Sequence, residues 1–201
     1  MSDTHTPSPG ILTIALAALM LALVASGWQP YDRVTWLMEV LPVMIAVPVL
    51  LATRRRFPLT TLLYACIFVH GLVLMLGGAY TYARVPLGFQ IADALGLHRN
   101  PYDKIGHFFQ GFVPALVARE ILVRGNWIDI ARERIPASEK IYTWWSYRAA
   151  DWQLSNRGRR LDHIWVSPAL RDRVSDFRIS RDARGWERPS DHVPVTTVFE
   201  V

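Results

Sequence analysis

The chain has 201 residues, of which 51% are hydrophobic, with a mean hydropathy of +0.17 and a formal net charge of +5. Branched and aromatic residues are too plentiful for a wholly disordered chain, and one cysteine, Cys66, excludes a disulfide framework or a Cys-based zinc site within one chain. The long apolar runs precede residue 126, whereas 13 of the 22 basic residues and six of the eight tryptophans follow it, which excludes one evenly mixed globular domain.

Four apolar runs are each close to the roughly 20 residues that a helix needs to cross a bilayer. They lie at 11–28, 36–52, 59–80 and 105–123, and the last is the most polar. No Lys or Arg precedes the first run and further strong runs follow it, so we interpret it as a transmembrane helix rather than a signal peptide. The sequence therefore predicts an α-helical membrane bundle of about four transmembrane helices over 11–125, after an N-terminal tail at 1–10.

The orientation follows from a short basic loop. Arg54, Arg55 and Arg56 lie between the second and third runs, and the positive-inside rule keeps such a loop cytoplasmic. The 81–103 loop is then outside, and the fourth helix returns the chain to the cytoplasm. We expect a multi-pass protein in the lipid bilayer with a cytoplasmic C-terminal tail.

Four polar residues of the membrane region are candidates for function, because a charge at the bilayer centre costs about 3 kcal/mol on insertion scales and usually faces protein or water. They are Glu39, His70, Asp103 and His107. One hypothesis makes Asp103, His107 and Glu39 a metal or proton site at the outer surface. The hypothesis that we favour makes Asp103 a helix N-cap and the two histidines hydrogen-bonding partners of other helices, since one i, i+4 pair is a weak motif.

Several short motifs of the membrane region occur in a distinctive order. They are YDR at 31–33, RFPLT at 56–60, YTYA at 80–83, RNPYD at 99–103 and GHF at 106–108. In these motifs the region resembles the YjdF family. The resemblance implies a multi-pass inner-membrane protein whose activity is not established, and the family's further spans are absent from this sequence.

The pattern changes after Gly125. Residues 126–135 read as a short helix with Asn126 as its cap and Pro136 as its stop. Strands are predicted at 141–148, 161–167, 174–182 and 194–201, with a helical turn at 168–174. Residues 126–201 are thus expected to form a partial α/β segment.

The tail also carries a set of longer motifs. They are YTWWSYR at 142–148, NRGRRLDH at 156–163 and RPSDHVPV at 188–195. With these motifs the tail resembles the C-terminal third of exonuclease III, in the endonuclease/exonuclease/phosphatase superfamily. Members of that family are four-layered α/β sandwiches that cut DNA at abasic sites and digest 3′ ends with Mg²⁺, so the tail is expected to be an incomplete piece of such a sandwich.

The resemblance implies roles for individual residues. Asp162 and His192 would form a catalytic carboxylate–imidazole pair beside the phosphate, and Asp191 would be a carboxylate ligand of Mg²⁺, which prefers such oxygens. The substrate-binding residues would be Trp144 and Leu161 at the abasic sugar and Arg157, Arg159 and Arg160 at DNA phosphates. If the resemblance is set aside, the alternative interpretation is that Asp191 is a turn residue, the tryptophans belong to the core and the arginines form a solvated surface.

The family also needs an Asn near its N-terminus, a Glu in a QExK context, a Tyr and an Asp-x-Asn strand end, yet the sequence contains no QE, GD or Asp-x-Asn. We therefore expect a chimera: a truncated membrane protein of unestablished activity joined to a nuclease fragment that is inactive by itself. The alternative is a membrane-tethered Mg²⁺-dependent nuclease for DNA repair, completed by a partner chain or a homodimer. A third possibility is a transporter or binding module in which the tail has no part.

Overall fold

The computed structural model describes residues 6–148 and 151–200, so residues 1–5 of the predicted tail and the last residue of the predicted final strand lie outside the described residues. The chain divides into two compact units, Met1–Glu120 and Ile121–Val201. The sequence places the change between residues 125 and 126.

The first unit is helical. Its elements are α1 Pro9–Trp28, α2 Arg33–Thr53, α3 Thr61–Tyr80, a 3₁₀ turn Tyr82–Arg84, α4 Pro86–Leu95 and α5 Tyr102–Arg124. The first three helices begin where the sequence provides a capping side chain: Ser8, Asp32 and Thr60 each accept the N–H three residues later. Such caps satisfy backbone donors that the first turn leaves unpaired.

Three helices among the described residues, α1, α2 and α3, are long and apolar enough to cross a membrane. The predicted fourth span is a helix, α5, but it is more polar than the others, with charged residues at both ends, and it is not among these three. The sequence analysis missed α4 inside the 81–103 loop. This short helix begins at Pro86 without a side-chain cap and ends at Gly96, whose left-handed backbone (φ 63°) suits glycine.

The helices of the first unit pack around a small apolar core. Leu19 of α1 meets Val40 and Val43 of α2 and Leu74 and Met75 of α3, all of them buried. These residues lie on the inward faces of the three helices. Because the helices are also apolar on their other sides, their outward surface is suited to contact with lipid.

Helix α5 runs antiparallel to α3. The hydroxyl of Tyr102, at the start of α5, donates to the Val73 carbonyl at 3.2 Å. Near the other end, the Glu120 carboxylate accepts the Thr60 N–H at 2.9 Å and the Thr60 hydroxyl at 2.7 Å. The end of α5 therefore caps the start of α3.

Among its described residues, the second unit contains three separate two-stranded antiparallel sheets. The pairs are β1 Ile128–Asp129 with β4 Trp165–Val166, β2 Trp144–Trp145 with β3 Gly158–Arg159, and β5 Val174–Ile179 with β6 Val195–Phe199. Helices α6 Ile130–Arg134 and α7 Trp152–Ser155 are short, and 3₁₀ turns cover Pro168–Arg173 and Arg181–Gly185. This is the partial α/β segment expected from the sequence.

Several local boundaries in this unit differ from the prediction. The strands expected at 141–148 and 161–167 are only Trp144–Trp145 and Trp165–Val166, and the start of the short helix is also wrong. Asn126 does not cap the short helix; it has a left-handed backbone (φ 56°), and α6 starts after Asp129, whose carboxylate accepts the Arg132 N–H. The sequence favours Asn126 as the cap because it directly precedes the apolar residues of the helix pattern. In the structure, residues 128–129 pair with β4, and the helix begins only after them.

Two small clusters form the core of the second unit. Ile130, Val166 and Val174 make one of them, and Trp145, Ala183 and Val193 make the other. Large apolar side chains remain in solvent, with Leu154 86% and Trp186 65% exposed.

Candidate functional site

An imidazole–carboxylate pair is the clearest arrangement in the second unit. Nδ1 of His192 lies 2.8 Å from Oδ2 and 3.1 Å from Oδ1 of Asp162. The side chains are 43% and 38% exposed. With Nδ1 held by the carboxylate, Nε2 is the ring nitrogen that can exchange a proton with a bound group. The structure thus brings together the two residues that the resemblance paired.

A buried hydroxyl that the sequence analysis missed fixes the Asp162 backbone. Thr143 is 1% exposed, and its Oγ1 accepts the N–H groups of Leu161 and Asp162, both at 3.0 Å. The Thr143 carbonyl also accepts the Val193 N–H at 2.9 Å. One threonine therefore connects the segments that carry Asp162 and His192. In the sequence it is simply a β-branched residue in an aromatic run, with no signal for this role.

The ionisation of Asp162 follows from these contacts. Partial burial alone would raise the pKa of its carboxyl, but the hydrogen bonds to Thr143 and His192 outweigh burial and hold the pKa below its ordinary value of 3.8. A lowered pKa means that the contact stabilises the fold above the ordinary Asp range and is lost as pH falls through the folded-state pKa. At neutral pH the carboxylate is charged.

Asp191 is held by a tryptophan. The Trp144 indole N–H donates to Asp191 Oδ2 at 2.9 Å, and the Asp191 carbonyl accepts the Trp145 N–H at 2.9 Å. Trp144, expected at the abasic sugar, is half-buried with its polar atom engaged, while Leu161 is 50% exposed. The carboxylate is thereby oriented, and one of its oxygens already accepts a hydrogen bond.

The carboxylates of the expected magnesium site already have hydrogen-bond partners. Asp162 is bonded to His192 and Asp191 to Trp144. Within residues 6–148 and 151–200 there is no group of three or more His, Cys, Asp or Glu side chains that could hold a metal ion. Mg²⁺ is usually held by one or two carboxylates together with water and substrate phosphate, so Asp191 is the residue that would hold it here.

The three arginines expected at DNA phosphates have different surroundings. Arg160 forms an ion pair with Asp129, and the two side chains are only 12% and 15% exposed. Arg157 and Arg159 are exposed. The Arg160 side chain is therefore mostly covered and already paired with a carboxylate, whereas Arg157 and Arg159 face solvent; the phosphate contacts of all three stay a prediction.

The polar residues of the membrane region do not come together as a metal or proton site. Glu39 accepts the Tyr82 hydroxyl at 2.9 Å, and Asp103 pairs with Arg99 at 3.0 Å. His107 Nδ1 lies 3.3 Å from the side-chain oxygen of Gln110. Each of the three thus has a separate partner, and the partner of His107 lies on its own helix rather than on another one as predicted.

The alternative roles for these residues also need correction. Asp103 lies within the first turn of α5 rather than at its cap, where Asn100 Oδ1 accepts the Tyr102 N–H at 2.9 Å. His70 stacks on Phe109 at 6.2 Å between ring centroids, and its buried Nε2 has no hydrogen-bond partner within the described part of the chain. Its contact with α5 is therefore aromatic, not the predicted hydrogen bond.

The two parts of the chain are similar to two different groups of known proteins. The model of a family described as predicted membrane protein (DUF2238) matches residues 11–144. The chain belongs to the DUF2238 family. This family member is 60% identical to inner membrane protein YjdF of Escherichia coli (strain K12) over 125 residues, which cover 62% of this chain and 60% of YjdF.

The C-terminal part of this DUF2238 protein is similar to nucleases. It is 39% identical to exodeoxyribonuclease III of Haemophilus influenzae over 72 residues, which cover 36% of this chain and 27% of the enzyme. Among solved structures, an AP endonuclease from Archaeoglobus fulgidus matches at 36% identity and a TM-score of 0.38, covering 41% of this chain and 32% of that one. The chain thus spans about 60% of YjdF and about a quarter of the nuclease.

Proposed function

We propose that this protein is an inner-membrane protein of the DUF2238 family joined to an exonuclease III-like segment that does not hydrolyse DNA by itself. The observation that carries the proposal is the state of the site: the Asp162–His192 pair is assembled, but the described residues hold no group of three metal-ligating side chains. Phosphodiester hydrolysis needs a cation on the phosphoryl oxygen as well as a proton-transfer group. We infer that the tail provides the proton-transfer group but not, by itself, the bound cation.

An incision assay tests this proposal. The full protein in lipid nanodiscs, incubated with Mg²⁺ and a duplex containing one abasic site, is expected to cut no faster than Asp191→Asn, because neither protein holds a catalytic metal. A complete exonuclease III family enzyme serves as the positive control. Mg²⁺-dependent incision by the unmodified protein that is lost in Asp191→Asn would overturn the proposal.

Completion by a partner is the second candidate, and the exposure of the Asp162–His192 pair favours it. A partner chain or a second copy that provides the missing carboxylate and amide groups would create a Mg²⁺ site beside an imidazole that is already oriented. This candidate predicts incision only when a fragment carrying the missing two-thirds of the nuclease is added, with loss of the activity in His192→Ala. If added fragments produce no incision, this candidate is wrong.

The C-terminal tail is proposed to be cytoplasmic. Helix α5 runs antiparallel to α3, and Glu120 near its C-terminal end bonds to Thr60, next to the basic loop that the positive-inside rule keeps in the cytoplasm. In a Cys66→Ser background, Glu187→Cys is expected to react with a membrane-impermeant maleimide in inverted vesicles only, and Gln29→Cys in spheroplasts only. Labelling of both positions from the same side would contradict this topology.

A further inference from the structure

Two adjoining cavities lie at the Arg54 end of the first unit, between α1, α2 and α3. One has a volume of about 110 Å³ and apolar walls that include Leu16, Val47 and Phe68. The other has a volume of about 350 Å³. Leu12, Arg54 and Tyr64 line both, so the two form one groove that runs from the apolar helix surfaces to the end of the bundle.

The mouth of this groove is positively charged. Arg54 and Arg55 line it together with the Tyr64 side chain, and none of the described residues that line either cavity is acidic. The first turn of α1, which begins at Pro9 after the Ser8 cap, borders the same cavity, and a helix start adds partial positive charge. The groove therefore combines an apolar wall with a cationic mouth.

We propose that this groove binds an anionic phospholipid from the leaflet on the side of the Arg54–Arg56 loop. The acyl chain would lie along Leu16, Val47 and Phe68, and the phosphate would meet Arg54 and Arg55. Basic pockets between transmembrane helices on the cytoplasmic side commonly take such headgroups. A free anion would use only the two arginines, whereas the continuous apolar wall matches a ligand that carries a chain.

Lipid retention tests the site. Protein reconstituted in nanodiscs of equal phosphatidylglycerol and phosphatidylcholine is released and analysed by native mass spectrometry. We expect the unmodified protein to retain phosphatidylglycerol preferentially, and Arg54→Gln and Arg55→Gln each to lower that preference about five-fold, the size expected for one basic residue at an anionic surface. Arg56 lies in the same loop but does not line the groove, so Arg56→Gln removes the same charge without a groove contact and should lower the preference clearly less than either of the other two.

A second pair of variants tests the apolar wall. Leu16→Trp fills the chain-binding part while both arginines remain, and it should reduce total lipid retention. Leu21→Trp, on the same helix at a residue 72% exposed and outside the groove, should not. An unchanged preference in Arg54→Gln/Arg55→Gln, an equal loss in Arg56→Gln, or displacement of the lipid by inorganic phosphate alone would each overturn the proposal.

Discussion

Replacement of Gly106 by alanine is expected to destabilise the membrane unit by about 1–3 kcal/mol, the usual cost of overpacking a close contact. A Cβ at this position would lie 2.2 Å from the Tyr82 ring. The ring has no free space to move into, because it also lies against Gly77 of α3, where an added Cβ would come within 2.7 Å of it. Its hydroxyl is bonded to Glu39 of α2 at 2.9 Å. Tyr82 is therefore held between three helices.

Thermal unfolding in detergent measures this effect, and the same helix provides a matched control. A Cβ at Gly111 meets nothing within 4 Å, so Gly111→Ala should be neutral or stabilising by up to about 1 kcal/mol through helix propensity. If the clash with the ring is the cause, Tyr82→Ala should remove most of the penalty of Gly106→Ala in a double-mutant cycle. Equal stability of the two alanine variants would contradict this packing.

Replacement of Thr143 by valine is expected to destabilise the second unit by about 1–3 kcal/mol. The substitution keeps the shape but removes the acceptor of the part-buried N–H groups of Leu161 and Asp162, and each lost hydrogen bond costs about 0.5–1.5 kcal/mol. Because Asp162 then loses its fixed backbone position, the His192 ring should also lose its ordered contact, which an NMR measurement of the ring nitrogens would show.

The chain offers a matched control for this substitution as well. Thr197 has a buried hydroxyl with no hydrogen-bond partner among the described residues, so Thr197→Val should be neutral or stabilising. Thr143→Ser retains the acceptor and should preserve the His192 signal. A Thr143→Val protein with an unchanged His192 spectrum and unchanged stability would show that the hydroxyl does not position the pair.

The parts of the fold that could be predicted from the sequence are those with local signals. The apolar runs at 36–52 and 59–80 predicted α2 and α3, because the length of an apolar span is a local signal. The capping roles of Asp32 and Thr60 were not predicted. Helix α4 was not predicted, because it has neither a long apolar run nor a side-chain cap. Its boundaries depend on how the chain returns to α5.

The candidate site shows the same limit. Asp162 and His192 were paired through a resemblance in sequence, and the structure confirms their contact. The role of Thr143 and the ion pair of Arg160 with Asp129 were not predictable, since each joins residues far apart in the chain whose types fit several other roles. Contacts of this kind follow from tertiary packing and leave no periodic pattern in the sequence.

The most direct test of the incomplete site is divalent metal binding, measured apart from catalysis. Mn²⁺, which substitutes for Mg²⁺ at oxygen ligands, can be titrated into the full protein in nanodiscs and counted by electron paramagnetic resonance. We expect the unmodified protein and Asp191→Asn to bind Mn²⁺ equally weakly and without defined stoichiometry. One tightly bound Mn²⁺ per chain, lost in Asp191→Asn, would contradict this expectation.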